Sequence, residues 1–146
     1  MKGLVCKICG YITLDNNEKQ CPICHAKNIF EEKEDAYKMS NSEAASSESK
    51  KKHIPYFNII KECVLIPNTK CTDIYVKIGE ILHPALQEHY ITNITFYTNN
   101  KFVSYITFTF DVNPAAVIHL KDEVKGKVQV IANCSIHGKW FNEVKI

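Results

Sequence analysis

From about residue 53 onward the chain alternates. In "KFVSYITFTF", Phe102, Ser104, Ile106, Phe108 and Phe110 take every second place, and Val103, Tyr105, Thr107 and Thr109 fill the places between. A period of two belongs to an extended strand, whose successive side chains point to opposite faces. "FNIIKECVLI", "TDIYVKIG", "YITNITFYT", "AAVIHL" and "KVQVIAN" share the same wealth of β-branched and aromatic residues, so each is predicted to be a strand. Turn-forming clusters, "IPNTK", "NNK", "DVNP" and "KG", fall between the runs. No crossover helix is available, so the pattern predicts an antiparallel β-sandwich. Its length of about 95 residues is that of an immunoglobulin-like domain.

The alternation fails upstream. Residues 1–33 hold too few apolar side chains for a core, and chains below roughly 40 residues usually need a metal or disulfides. That stretch carries "CKICG" (Cys6 to Gly10) and "CPIC" (Cys21 to Cys24). Two C-x-x-C units so spaced predict one tetrahedral site of Cys6, Cys9, Cys21 and Cys24, which suits iron or zinc equally on geometry. Residues 34–51, "EDAYKMSNSEAASSESKK", are dominated by Ser, Glu, Lys and Ala. They read as a solvated linker, helical in part where Glu and Ala cluster. The expected organisation is all-β: a metal-knuckle domain over 1–33, a polar linker over 34–51 and a sandwich over 52–146, with no internal repeat.

Composition narrows the function classes. A net charge of +2 on 146 residues is too mild to argue for nucleic acid. No apolar run reaches the roughly 18 residues that span a bilayer, and "MKGLVCKICGY" lacks the apolar stretch of a secretory signal. A cytoplasmic protein is expected, and in a reducing compartment seven cysteines point to metal ligation rather than disulfides.

Near the end of the chain, "ANCSIHGKW" sets Cys134 three residues before His137. A thiolate and an imidazole so close suggest a metal, but they supply only two ligands. Further donors stand in "KKHIP" (His53) and "GEILHPALQEHY" (His83 and His89), at predicted strand ends where ligands can converge without filling the core. His119 reads as an ordinary strand residue, His25 as a knuckle side chain facing solvent, and Cys63 and Cys71 as small strand residues without a ligand role. Trp140 reads equally well as packing beside the ligand loop or as a plain core residue.

Taken together, Lys52-His53-Ile54-Pro55, His83-Pro84 with Glu88-His89-Tyr90, and Asn133 to Gly138 resemble the superoxide reductase family, the desulfoferrodoxins and neelaredoxins. The resemblance covers the chain from about Lys52 to its end. It implies an immunoglobulin-like sandwich with a mononuclear iron, His53, His83, His89 and His137 in the equatorial plane and Cys134 on the axis. Five ligands leave one position open, where the family reduces superoxide to hydrogen peroxide; an axial thiolate donates electron density along that axis. Lys52 would attract the anion beside the open position, and Gly138 would permit a tight loop whose N–H groups approach the sulfur.

The first segment resembles a short rubredoxin of the rubrerythrin type, which implies an iron at the four cysteines that relays electrons from a rubredoxin or an NAD(P)H-dependent reductase. A homo-oligomer, dimer or tetramer, is expected. Two positions depart from the family: Lys51 stands where many members have glutamate, and Lys139 where leucine is common. The first leaves water, hydroxide or a linker carboxylate such as Glu48 as sixth ligand of the oxidised iron; the second makes the rim more basic. Two rival readings remain at this stage, a carrier whose irons only exchange electrons and a zinc ribbon joined to an immunoglobulin-like interaction domain.

Overall fold

The computed structural model describes residues 1–43 and 45–146. Seven strands form two facing antiparallel sheets. One joins β4 (Pro55–Ile60), β5 (Cys71–Ile78) and β8 (Ala115–Lys121) in the order β4-β5-β8. The other joins β6 (Ile91–Thr98), β7 (Lys101–Thr107), β9 (Lys127–Cys134) and β10 (Gly138–Lys145) in the order β10-β9-β6-β7. Upstream, β1 (Gly3–Cys6), β2 (Ile12–Thr13) and β3 (Phe30–Lys33) make a separate antiparallel sheet in the order β2-β1-β3. The single helix among the described residues, α1 (Ser47–His53), begins where the Ser46 hydroxyl caps the Ser49 N–H at 3.1 Å. The all-β antiparallel class expected from the alternation is the class observed.

The sandwich core forms as period-two patterning requires. Ile74, Val76 and Ile78 of β5 face Ile94, Phe96, Val128, Val130 and Ala132 of the other sheet. The four-stranded sheet is also covered on its outer face, where Tyr97, Ile131 and Phe141 pack with Val5, Tyr11 and Ile12 of the N-terminal unit. Tyr11 stacks on Tyr97 with centroids 6.0 Å apart, and the Tyr97 hydroxyl donates to the Ile12 carbonyl. Cover on both faces leaves β9 buried at nearly every position, Gln129 included, while burial alternates along β8.

Three expectations need correction. Alternation put Phe102 and Ile106 on one face, yet Phe102 packs outward with Tyr11 and Ile106 inward in the sandwich. Phe96 pairs with Ser104 and Tyr97 with Phe102, so Val103 is an extra residue and the bulge switches the faces beyond it. The strand also stops at Thr107 rather than running to Phe110, which is exposed. Second, "FNIIKECVLI" is not one strand. β4 ends at Ile60, and residues 61–70 form an irregular loop that carries Cys63 and exposes Val64 and Leu65 to 77% and 72%.

Third, the polar stretch is not simply solvated. Lys38 donates to the Lys139 carbonyl (2.9 Å) and accepts from the Phe141 N–H (2.8 Å), while Tyr37 packs on Phe141. Strand β10 lies at the edge of its sheet. Its free main-chain groups offer pairing to any extended segment that lies beside them, and that pairing outweighs the polar composition locally.

Candidate metal centres

The N-terminal cysteines are brought together by two equivalent turns. The Gly10 N–H donates to the Cys6 carbonyl (3.0 Å) and the His25 N–H to the Cys21 carbonyl (2.9 Å). The residue after each second cysteine takes a left-handed backbone, φ +81° at Gly10 and +65° at His25. The first turn uses glycine for this; the second imposes the conformation on a histidine, whose side chain is exposed. The Cys6 and Cys24 sulfurs lie 3.6 Å apart, those of Cys9 and Cys21 3.5 Å, and all four fall within 4.8 Å of one another. Burial pushes the Cys6 thiol up, but hydrogen bonds from the N–H groups of Cys9 and Ile8 outweigh it and bring it down to about 7. A tetrahedral thiolate set of this kind fits iron.

The second centre is built by strand pairing. β9 and β10 form a hairpin in which Gly138 faces Cys134, so the three-residue tip returns His137 to within 3.6 Å (Nδ1) of the Cys134 sulfur. Gly138 makes this turn at φ +76°. β6 pairs Ile91 with Cys134, and the Ser135 N–H donates to the Tyr90 carbonyl (2.9 Å), which draws His89 to the same point. His53 ends α1 two residues before β4, and Asn142 of β10 ties the Pro55 carbonyl at 2.9 Å. His83 follows the tight turn after β5, with its N–H donated to the Ile78 carbonyl at 2.9 Å.

The four imidazoles close a square. Ring centroids are 4.8 Å apart for His53–His83, 4.6 Å for His83–His89, 4.9 Å for His89–His137 and 4.9 Å for His53–His137, with a 6.2 Å diagonal from His53 to His89. The Cys134 sulfur lies 3.4 Å from His83 Nε2. Donor atoms of His53, His83, His89 and Cys134 fall within 4.8 Å of one another; His137 stands outside that tighter group and joins through its contact with Cys134. His53 Nδ1 donates to the Ser49 carbonyl (2.8 Å) and His83 Nδ1 to the Pro84 carbonyl (2.7 Å), which fixes both tautomers. The Nε2 atoms of His53 and His89 are buried with no hydrogen-bond partner. Buried polar atoms rarely stay unpaired, and lone pairs turned toward one point are what a metal satisfies. An imidazole and thiolate set of this kind also fits iron.

Burial favours the neutral form of His53, His83 and His89. It pushes His53, His89 and His83 below the ordinary value, His83 to about 4, with neighbouring imidazoles adding to the effect. Neutral rings keep the lone pairs that ligation needs.

Further residues shape the site, and of the two readings offered for Trp140, packing at the site and burial in the core, both hold. Trp140, buried in β10, stacks on His53 (4.7 Å, 15° between planes). Lys38 lies over the Trp140 ring at 5.0 Å and donates to the His137 carbonyl at 2.9 Å. Gly79, at φ +89°, allows a close approach that a Cβ would block, 2.6 Å from the Lys52 carbonyl oxygen, and so lets the end of α1 dock. A glycine flanked by a strand and a turn could have hinted at Gly79; nothing marks Lys38.

Lys52 lies in the last turn of α1 and is partly exposed, its ammonium 3.2 Å from the Glu48 carboxylate. Glu48 thus reaches Lys52, not the imidazole square. Lys139 donates to the Gly10 carbonyl beside Cys9, and burial pushes its ammonium below the usual range.

Comparison with known proteins matches this geometry. Residues 45–143 match the desulfoferrodoxin family, and residues 5–31 match the rubredoxin-like domain of rubrerythrin. The superoxide reductase of Pyrococcus abyssi is 33% identical over 106 residues, covering 65% of this chain and 87% of that protein. The solved superoxide reductase of Nanoarchaeum equitans superposes with a TM-score of 0.51 at 27% identity, covering 65% of this chain and 93% of that one. The superoxide reductase (neelaredoxin) of Ignicoccus hospitalis shares the fold at 19% identity, with a TM-score of 0.58 over 75% of this chain and 93% of its own. The chain belongs to the desulfoferrodoxin family.

Proposed function

We propose, from the place of this chain in the desulfoferrodoxin family, that it reduces superoxide to hydrogen peroxide at an iron held by His53, His83, His89, His137 and Cys134. One observation carries the reading: four imidazoles from three segments stand in a square of 4.6–4.9 Å sides with a cysteine sulfur against them. An iron there would supply one electron, and superoxide, that electron and two protons balance as one hydrogen peroxide. The protein supplies the rest. Ser49 and Pro84 carbonyls orient the rings, and Trp140 covers one face of His53. His137 is exposed and His89 half-buried, which gives a small anion access to the face away from Cys134.

Lys52 sits one residue before His53, and its charge is felt at His89. It steers the anion toward the square, and Glu48 restrains it when no substrate is present. Glu48 is engaged by Lys52 and position 51 is a lysine, so neither residue would supply a carboxylate to an iron held in the square.

With iron bound, Cys6, Cys9, Cys21 and Cys24 would hold the entry point for electrons, which would pass within one chain. Support comes from the contact between Gly10 and Lys139, since Lys139 is bonded to Trp140, whose ring lies on His53. A rubredoxin or an NAD(P)H-dependent reductase in the cytoplasm is the donor, and the working form is a homo-oligomer. No helix among the described residues is long and apolar enough to cross a membrane.

The test is pulse radiolysis of the reduced, iron-loaded chain with both products measured. Superoxide should disappear with one hydrogen peroxide formed for each anion and no dioxygen released by the protein. One dioxygen per two superoxide would make it a dismutase, and no acceleration of decay would leave an electron carrier.

A further inference from the structure

Cys63, Cys71 and His119 have no place in either centre, yet the fold brings them to one point. Their donor atoms and a carboxylate oxygen of Asp73 all lie within 4.8 Å of one another. Cys71 opens β5, Asp73 follows two residues later, His119 faces Asp73 from β8, and Cys63 comes from the 61–70 loop. This end of the sandwich is remote from the imidazoles. β5 pairs Asp73 with Ile60 and Ile78 with Pro55, a separation of about 17 Å at roughly 3.3 Å per strand residue.

Asp73 is the telling residue. Its carboxylate is fully buried at 0% exposure, and burying a charge is costly unless it is paired or holds a metal. One oxygen, Oδ1, accepts from His119 Nδ1 (2.7 Å) and from the Cys71 thiol (3.2 Å), while Oδ2 has no partner. Cys63 approaches His119 Nδ1 at 3.6 Å. Four buried side-chain nitrogen or oxygen atoms lack partners among the described residues, and three of them, on His53, His89 and Asp73, belong to clusters of metal-binding donors.

We propose that Cys63, Cys71, Asp73 and His119 form a third metal site, for zinc, which pins the 61–70 loop to the sandwich. Two thiolates, an imidazole and a carboxylate make a borderline-soft set that selects zinc over calcium or magnesium. In a tetrahedral site with Zn–S of about 2.3 Å, two sulfurs stand about 3.8 Å apart, inside the 4.8 Å within which the four donor atoms already lie. Ligation releases two protons to solvent, one from each thiol of Cys63 and Cys71, while His119 ligates as the neutral ring with its proton at Nε2 instead of Nδ1. A metal also accounts for the ten-residue loop: its Val64 and Leu65 are exposed and bury nothing that would hold it. A binding site at Cys63 supplies the missing anchor.

The test uses the full chain, reconstituted anaerobically with iron until both iron spectra reach full amplitude, then given zinc and freed of excess. One zinc per chain is expected beyond the iron. Cys63→Ser, in the loop, and His119→Gln should each lose that zinc with both iron spectra unchanged. Zinc should slow tryptic cleavage after Lys61 and Lys70 about tenfold when present at ten times its Kd, and Cys63→Ser should abolish the slowing. Equal zinc in wild type and both variants would overturn the proposal. So would a mass lighter by two hydrogens in the unreduced protein, which would make Cys63 and Cys71 a disulfide instead.

Discussion

The two centres of this chain are assembled in opposite ways. The cysteine centre draws its donors from residues 6 to 24 through two short turns, so its geometry is local. The imidazole centre spans residues 53 to 137 and exists only because β4, β5, β6, β9 and β10 end at one place. Their supports differ as well. The N-terminal unit is a three-stranded sheet with little interior of its own, borrowing Tyr97, Ile131 and Phe141. The sandwich has an independent core. Metal should therefore decide folding in the first region and only chemistry in the second.

The largest effect is expected from Cys21→Ser. Structural metal binding is folding free energy in units this small, so amide protection in β1 to β3 should vanish while β5, β6 and β9 keep theirs. Retained protection over residues 1–33 would show that docking alone holds the unit. Cys134→Ser should do the reverse. The fold should persist while the thiolate-to-iron band disappears and superoxide reduction falls at least about 100-fold, the upper end of what even a ligand's outer partners are worth. An unchanged spectrum would remove Cys134 from the centre.

Lys139→Leu addresses the seam. A hydrogen bond from a charged donor contributes roughly 1.5–3 kcal/mol, so relay from a reduced cysteine centre should slow about tenfold. Single-turnover reduction by a pre-reduced imidazole centre should hold its rate; if both rates stay at the wild-type value, electrons cross elsewhere.

Acid should distinguish the regions more mildly. Unfolding lets His83 take a proton near its ordinary value of 6.5, while the folded chain holds it off until about 4. The unfolded chain binds more protons in that window, so metal-free sandwich stability falls as pH drops from 6.5 toward 4. Denaturant midpoints that do not move across that window would contradict a buried neutral His83. The smallest change is expected from Lys52→Ala: superoxide capture should slow severalfold and lose part of its salt dependence. Unaltered salt dependence would deny it a steering role.

Legibility follows the same division. Cys6, Cys9, Cys21 and Cys24 are readable because a C-x-x-C turn is a local object. The imidazole centre offered only fragments, of which Cys134 and His137 share a hairpin tip; its other members stand out through resemblance to a family rather than through spacing. The Val103 bulge was invisible because one extra residue leaves the alternation of letters intact while reversing the faces beyond it. Cys63, Cys71 and His119 read as ordinary strand residues because Asp73, which joins them, reads as one more polar position near the start of a strand.

By itself the sequence determined the all-β class, through period-two patterning without crossover helices, and the donors of the cysteine centre, through turns closed within a few residues. Tertiary structure decided that Lys38 pairs with the edge of β10 and that Lys139 reaches Gly10. It also gathered Asp73, Cys63, Cys71 and His119 at one end of the sandwich. The reason is physical: neighbours along a turn are set by local backbone geometry, whereas neighbours across a sheet depend on pairing and register, which no short stretch of residues contains.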